Sequence, residues 1–203
     1  MKISYYNQSG FSLVETLVAI SLLLIVIVGP MTISAKSAKS STFATEQIQA
    51  FFLAQEGLEL AQKARDDMRL QYIKDVLDGV STPDDPWTKF TDKTGSGVYR
   101  NCFTDINSNG CGLEWSLVGG ELAVPVNCNA SVIACKLHLG SSGRSWFTHV
   151  GVSSDDKFTR KIKFSTNNIT REVSVISEVT WRTGSIVADQ KVELDTYLFN
   201  ITY

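Results

Sequence analysis

Several residues in this chain have types and spacings that could do chemistry. Glu15 stands in an otherwise apolar run from Phe11 to Val28, interrupted only by Ser12, Thr16 and Ser21. A carboxylate in a hydrocarbon core costs about 2.5–3.5 kcal/mol and needs a partner. No Lys or Arg lies between Phe11 and Lys36. A cut after Gly10 would create the missing cation, because Phe11 would then carry a free α-amine close to Glu15. Cys102, Cys111, Cys128 and Cys135 can oxidise to disulfides or hold zinc. Asp105, Asn107 and Asn109 put oxygen ligands at alternate positions ahead of Gly110, like the front half of a calcium loop. The Cys111 carbonyl and Glu114 complete that candidate set. His138 and His149 are the chain's two histidines.

Spacing narrows these options. Four cysteines with no Cys-x2-Cys knuckle, and histidines without ligand spacing, favour disulfides over zinc. Three connectivities are possible. The pairs Cys102–Cys111 and Cys128–Cys135 are expected, since each closes a short loop around a turn. An EF-hand loop starting at Asp105 would need a bidentate Glu where Ser116 stands. A Gly/Asn turn stapled by Cys102–Cys111 is therefore the plainer reading; calcium stays open, and no other cofactor is expected. Lys93-Thr-Gly95 and Ser154-x-x-Lys157 are similar to motifs of penicillin-recognising enzymes, but in reversed order and without a Ser-Asp-Asn element. Gly140-Ser-Ser-Gly143 is not a nucleophile elbow, no P-loop is present, and His138 sits in an alternating stretch that suits packing. The chain is not expected to be an enzyme.

Charge points the same way. The net charge is −2, so nothing points to a bulk electrostatic partner such as nucleic acid. Arg160, Lys161, Lys163 and Arg171 cluster in sequence, but strand alternation sends them to both faces, so a solvated face is expected and nucleic-acid binding is not supported. Asn129, Asn168 and Asn200 open glycosylation-type triplets, which are common by chance.

The elements that must position these groups follow from periodicity. Residues 1–10 read as a polar leader. Residues 11–36 form a membrane helix whose apolar run, Phe11–Val28, is 18 residues long, at the lower limit of the roughly 17–25 a span needs, with Pro30 expected to kink it. Lys2 on one side and Lys36 and Lys39 on the other leave its orientation open by charge. Residues 37–79 continue as an amphipathic helix with Ala44, Ile48, Phe51, Leu58, Ala61, Met68, Tyr72 and Val76 near one stripe and Gly57 as its weak point. If continuous from Phe11 to Asp78, the helix would be roughly 100 Å long at 1.5 Å per residue. Gly79–Gly97 reads as a surface loop pinned by Trp87 and Phe90. Residues 80–203 form a disulfide-containing, β-rich domain. Its expected strands are Val98–Phe103, Leu113–Val118, Glu121–Val126, Ser131–His138, Trp146–Val152, Phe158–Ser165, Arg171–Trp181 and Ile186–Ile201, with a final turn at Arg182–Ser185. The fold class is α+β: a long N-terminal helix packed on an antiparallel sheet.

Gly10, Phe11 and Glu15, in one register ahead of the apolar run, resemble the type IV pilin and pseudopilin family over about residues 8–36. That family's signature is a short polar leader ending in Gly, then Phe, with Glu fifth in the mature chain. The resemblance implies removal of Met1–Gly10 by a prepilin peptidase, N-methylation of Phe11 and assembly with other pilin subunits through the helix. It implies that Glu15 of one subunit neutralises the Phe11 amine of its neighbour. It also implies a single pass of the inner membrane before assembly and a periplasmic or cell-surface filament afterwards. A helix breaker near Pro30 and the helix-on-sheet plan fit the same family, and some pseudopilins bind calcium in a C-terminal loop. Size and the Val179-x-Trp181…Gly184…Leu194 hairpin look like several minor pilins. The alternatives are a major pilin, a pseudopilin of a type II secretion or DNA-uptake machine, and a membrane-anchored surface binding module that never polymerises.

Overall fold

The computed structural model describes residues 10, 12–114, 125–129, 135–139, 147–149, 156–167, 171–184 and 188–200. The chain divides into two units, Met1–Thr45 and Glu46–Tyr203. Helix α1 (Leu13–Leu77) contributes to both, and Pro30 lies inside it. With no N–H, Pro30 leaves the carbonyl of Val26 without its usual helical donor.

In the first unit the described side chains from Ser12 onward are exposed or half-buried, including Leu17, Leu22, Ile25, Val26 and Ile33. An apolar helix left bare on all sides in water is a helix made for another solvent.

In the second unit α1 packs on an antiparallel sheet. The strands are β1 (Cys111–Gly112), β2 (Val126–Asn127), β3 (Lys136–Leu139), β4 (Phe147–Thr148), β5 (Phe158–Asn167), β6 (Glu172–Trp181) and β7 (Gln190–Phe199). Strand β5 is the axis. On one side it pairs with β6, which pairs with β7; on the other, β3 meets its start and β1 its middle. Alternation is strict: Phe158, Arg160, Ile162 and Phe164 are buried while their neighbours in the strand are half-exposed or, at Ser165, exposed, as a sheet with one covered face requires.

The covering stripe of α1 differs from the expected one. The buried residues are Glu46, Ala50, Leu53, Ala54, Gly57, Leu60, Ala61, Ala64 and Met68. Ile48 and Phe51 are exposed instead. Hydropathy favoured the bulky side chains, whereas close approach of helix to sheet selects small ones. Gly57 is the clearest case and is no weak point: a Cβ there would overlap Ser177 Oγ and lie 3.3 Å from Arg160 Cδ.

Two further expectations change. Val98–Phe103 is not a strand; Arg100–Cys102 is a 3₁₀ turn that delivers Phe103 to a parallel bridge with Phe164. The Gly79–Gly97 loop contains a short helix, α2 (Pro86–Phe90), capped by Asp85, whose carboxylate accepts from the Thr88 amide at 2.8 Å, with Pro86 opening the first turn. This helix plants Phe90 in the core, 5.6 Å from Tyr99 and 5.5 Å from Phe164, ring centre to ring centre. Burying such rings stabilises by roughly 1.5–3 kcal/mol each. Residues 115–124, 131–134, 150–152 and 186–187, which carried parts of the expected strands, lie outside the described residues, as do Asn168 and the 154 end of the Ser154-x-x-Lys157 motif.

Cys102 is bonded to Cys111, with Cα atoms 4.6 Å apart, and Cys128 to Cys135, at 5.2 Å. Among the described residues no cysteine is free.

Candidate processing and assembly site

The first turn of α1 carries Glu15 as its acidic residue, where the helix dipole favours a carboxylate. Gly10 is exposed and Glu15 is exposed; Phe11 lies outside the described residues. Beyond Glu15, the polar side chains of the apolar stretch are satisfied by the helix itself. Thr16 Oγ1 donates to the Leu13 carbonyl at 2.8 Å, Ser21 Oγ to the Leu17 carbonyl, and Thr32 Oγ1 to the Gly29 carbonyl at 2.8 Å. Such back-bonding removes the need for water around these hydroxyls. One helix of the described chain is long and apolar enough to cross a membrane, by length and composition. Glu15 is the one charged side chain between Phe11 and Lys36, so it is the group for which such a solvent makes a demand.

Residues 5–29 match the family model for the prokaryotic N-terminal methylation motif, the signature carried by type IV pilins and pseudopilins. The chain is thus type IV pilin-like at its N-terminus, and the matched segment contains Gly10, Phe11 and Glu15. No curated protein and no solved structure matches the chain.

The candidate calcium residues take other partners. Asp105 accepts from Lys93 Nζ at 2.7 Å. Glu114 accepts from the Thr148 hydroxyl and from the His149 amide. Asn107 is buried and acts as a hub: its Nδ2 donates to the carbonyls of Asn101 and Gly110 and to Asn127 Oδ1, and its Oδ1 accepts from the Asn109 amide and Asn129 Nδ2. Asn109 in turn bonds Asn129. The loop from Asp105 to Cys111 is therefore tied to the Cys128 loop by side-chain amides, and Gly110, at φ +70°, makes the turn that allows it. Among the described residues no group of three or more His, Cys, Asp or Glu side chains gathers as a metal site.

Other polar residues proved structural in ways that local spacing did not reveal. Arg160, expected on a solvated face, is buried at 1% exposure. It donates to the Leu113 carbonyl at 2.9 Å, to the Leu53 carbonyl at 3.3 Å and to Glu56 at 2.8 Å. Burial pushes its pKa down, opposed by the Glu56 charge. Glu46 on α1 is buried and bonds Lys157 and Thr183. His138 is buried and its Nδ1 sits 2.7 Å from Asp156. His149 Nδ1 donates to the Lys136 carbonyl, 3.2 Å away, while its Nε2 has no partner among the described residues. Burial, then the Arg160 charge, lowers its pKa to about 3. One signal was available: Glu46, Ala50, Leu53, Gly57, Leu60 and Ala64 recur every three or four residues, so a buried acid could be read from the small-residue stripe it heads.

Proposed function

We propose that this chain is a structural subunit of a type IV pilus-like filament, either a minor pilin or a pseudopilin, and that it works by assembly, not catalysis. In this reading a prepilin peptidase cuts after Gly10, Phe11 is N-methylated, and the protein rests as a single-pass precursor in the inner membrane before entering a filament with other pilin subunits. The supporting observation is the methylation motif over residues 5–29, set at the head of a helix whose apolar surface is bare and whose hydroxyls are internally satisfied. Glu15 is the assembly residue: a buried carboxylate beside a buried amine is far better than either alone, and a slip in register strands both charges. Intact mass of the protein isolated from assembled material tests the proposal. Loss of Met1–Gly10 with one added methyl group is the expected result. An intact leader in a protein found at the surface would favour a membrane-anchored binding module that does not polymerise.

A further inference from the structure

We propose that Asn109–Gly110 is a self-modification site, at which Asn109 converts to aspartate and isoaspartate through a succinimide ring, and that the asparagine network around it holds the reaction latent. In the ring-forming step the Gly110 backbone nitrogen gives its proton to solvent and attacks Asn109 Cγ. The Cγ–Nδ2 bond breaks, and the nitrogen leaves as ammonia with a proton returned by solvent. Water then opens the ring at either carbonyl. One opening gives aspartate; the other gives isoaspartate, with the main chain rerouted through the side chain. Water is consumed and ammonia released, and neither step oxidises or reduces anything.

The fold itself creates the liability. Gly110 sits at φ +70°, and a Cβ there would overlap the Ile162 carbonyl oxygen, so this turn needs glycine. Glycine is also the neighbour that least hinders ring closure, because no side chain shields its nitrogen. Asn109 is the one asparagine of the chain that precedes a glycine. Its side chain is exposed, so water and hydroxide reach the carboxamide.

The same loop withholds the reacting atoms from each other. The Gly110 amide donates to the Asn107 carbonyl at 2.9 Å, which engages the nucleophile. The Asn109 amide donates to Asn107 Oδ1 at 3.1 Å, and Asn109 Nδ2 donates to Asn129 Oδ1. The carboxamide is thus tied to the neighbouring loop instead of swinging onto its own backbone. Beyond the reacting bond the chain is pinned as well. Asn107 Nδ2 donates to the Gly110 carbonyl at 2.7 Å, while Cys111 pairs with Asn127 and Ile162 and is bonded to Cys102. Ring closure waits for local opening, so its rate follows the population of the open loop.

The product cannot restore the network. A carboxylate at residue 109 faces Asn129 Oδ1, acceptor against acceptor, because Asn129 Nδ2 is already committed to Asn107. The Asp105–Cys111 loop loses that tie to the Cys128 loop. Isoaspartate also adds a backbone atom inside the ring closed by Cys102 and Cys111. Conversion is therefore a one-way record of the time a copy has spent with this loop open.

The test incubates the oxidised full-length protein in detergent micelles in mildly alkaline buffer. Peptide mapping that separates aspartate from isoaspartate follows residue 109. The same chain, reduced by a dithiol and unfolded in guanidinium chloride, gives the uncaged rate. There residue 109 should convert ahead of every other asparagine, to both products. In the folded protein it should convert at least about tenfold more slowly, since several hydrogen bonds must open and each favours the closed loop by roughly two- to tenfold. Asn129→Ala removes an exposed side chain and the tie to Asn109, and should speed the folded reaction by about two- to tenfold. Asn129→Ser, too short to reach Asn109, should act in the same direction and carries the test if Asn129→Ala melts early. Equal rates in the folded and unfolded chains, an unchanged rate in the Asn129 variants, aspartate without isoaspartate, or no conversion even when unfolded would each overturn the assignment.

Discussion

Gly57 on α1 faces Ser177 on β6 so closely that a methyl group at Gly57 overlaps the Ser177 hydroxyl and lies 3.3 Å from its Cβ. Helix propensity alone favours Gly57→Ala by about 1 kcal/mol. Overpacking a buried contact costs about 1–3 kcal/mol, and Ser177 is fully buried, so packing wins. Gly57→Ala should lower stability by up to about 2 kcal/mol in denaturant unfolding. Among the described residues Ser177 Oγ has no hydrogen-bond partner, so adding Ser177→Ala should recover part of the loss. A double variant no more stable than Gly57→Ala would contradict this account.

Arg160 joins helix, loop and strand through three acceptors. Its partner Glu56 is 48% exposed, so that ion pair contributes little by itself, while the carbonyls of Leu53 and Leu113 are buried acceptors. Arg160→Ala should therefore cost about 3 kcal/mol or more, and Glu56→Gln less than about 1 kcal/mol. Equal losses from the two substitutions would show that the ion pair dominates.

His149 makes stability depend on pH. Its folded pKa is about 3 against an ordinary 6.5, so the unfolded chain binds a proton first. Stability is complete above pH 6.5, falls as pH drops towards 3, and levels off below, with a total loss of at most roughly 4–5 kcal/mol. The groups facing the ring are Arg160, His138, the Lys136 carbonyl and, at the His149 amide, Glu114. His149→Phe should flatten the slope between pH 6 and pH 4 in equilibrium unfolding; an unchanged slope would assign it to other groups.

The disulfides close loops of sequence separation 9 and 7, for which loop closure contributes about 2–3 kcal/mol each. Cys102 and Cys111 are both fully buried beside the Asn107 hub. Replacing that pair with serines should cost more than replacing Cys128 and Cys135. Unfolding of the two double variants in the same denaturant series checks the order.

Under the filament proposal, Glu15→Ala should leave folding and export intact and prevent efficient incorporation, whereas Glu59→Ala should have no such effect. Glu59 is an exposed residue of α1 that accepts a hydrogen bond from nearby Gln55. Counting each variant in sheared filaments against total cellular protein reads the outcome. Wild-type incorporation of Glu15→Ala would remove Glu15 from the assembly role.

The long helix and the last three strands were legible because their signals are local and strong: an uninterrupted apolar run, and alternation such as Val192-Glu-Leu194-Asp-Thr196. Of the short strands, β3 and β4 overlap the expected Ser131–His138 and Trp146–Val152, whereas β1 was not foreseen. β1, Cys111–Gly112, is defined by its pairing with Asn127 and Ile162, a relationship over long sequence separation that no window contains. Arg160 was misjudged for the same reason. A charge on an alternating strand reads as solvated until the helix that supplies Leu53 and Glu56 is in place. Asp85-Pro86, by contrast, was a readable helix start that the surrounding prolines and aspartates disguised as loop.

Thr16, Ser21 and Thr32 bend their hydroxyls back onto their own backbone, and that has a consequence for anything approaching the first unit from the side. Across the apolar stretch a neighbouring helix would find methyls and methylenes at every turn, with almost no directional group to grip. Sliding and rotation along such a surface change the contact energy little. In the filament proposed above, the carboxylate of Glu15 would be the single index mark on an otherwise unmarked rod, and one fixed point near the end of a rod suffices to set its axial position.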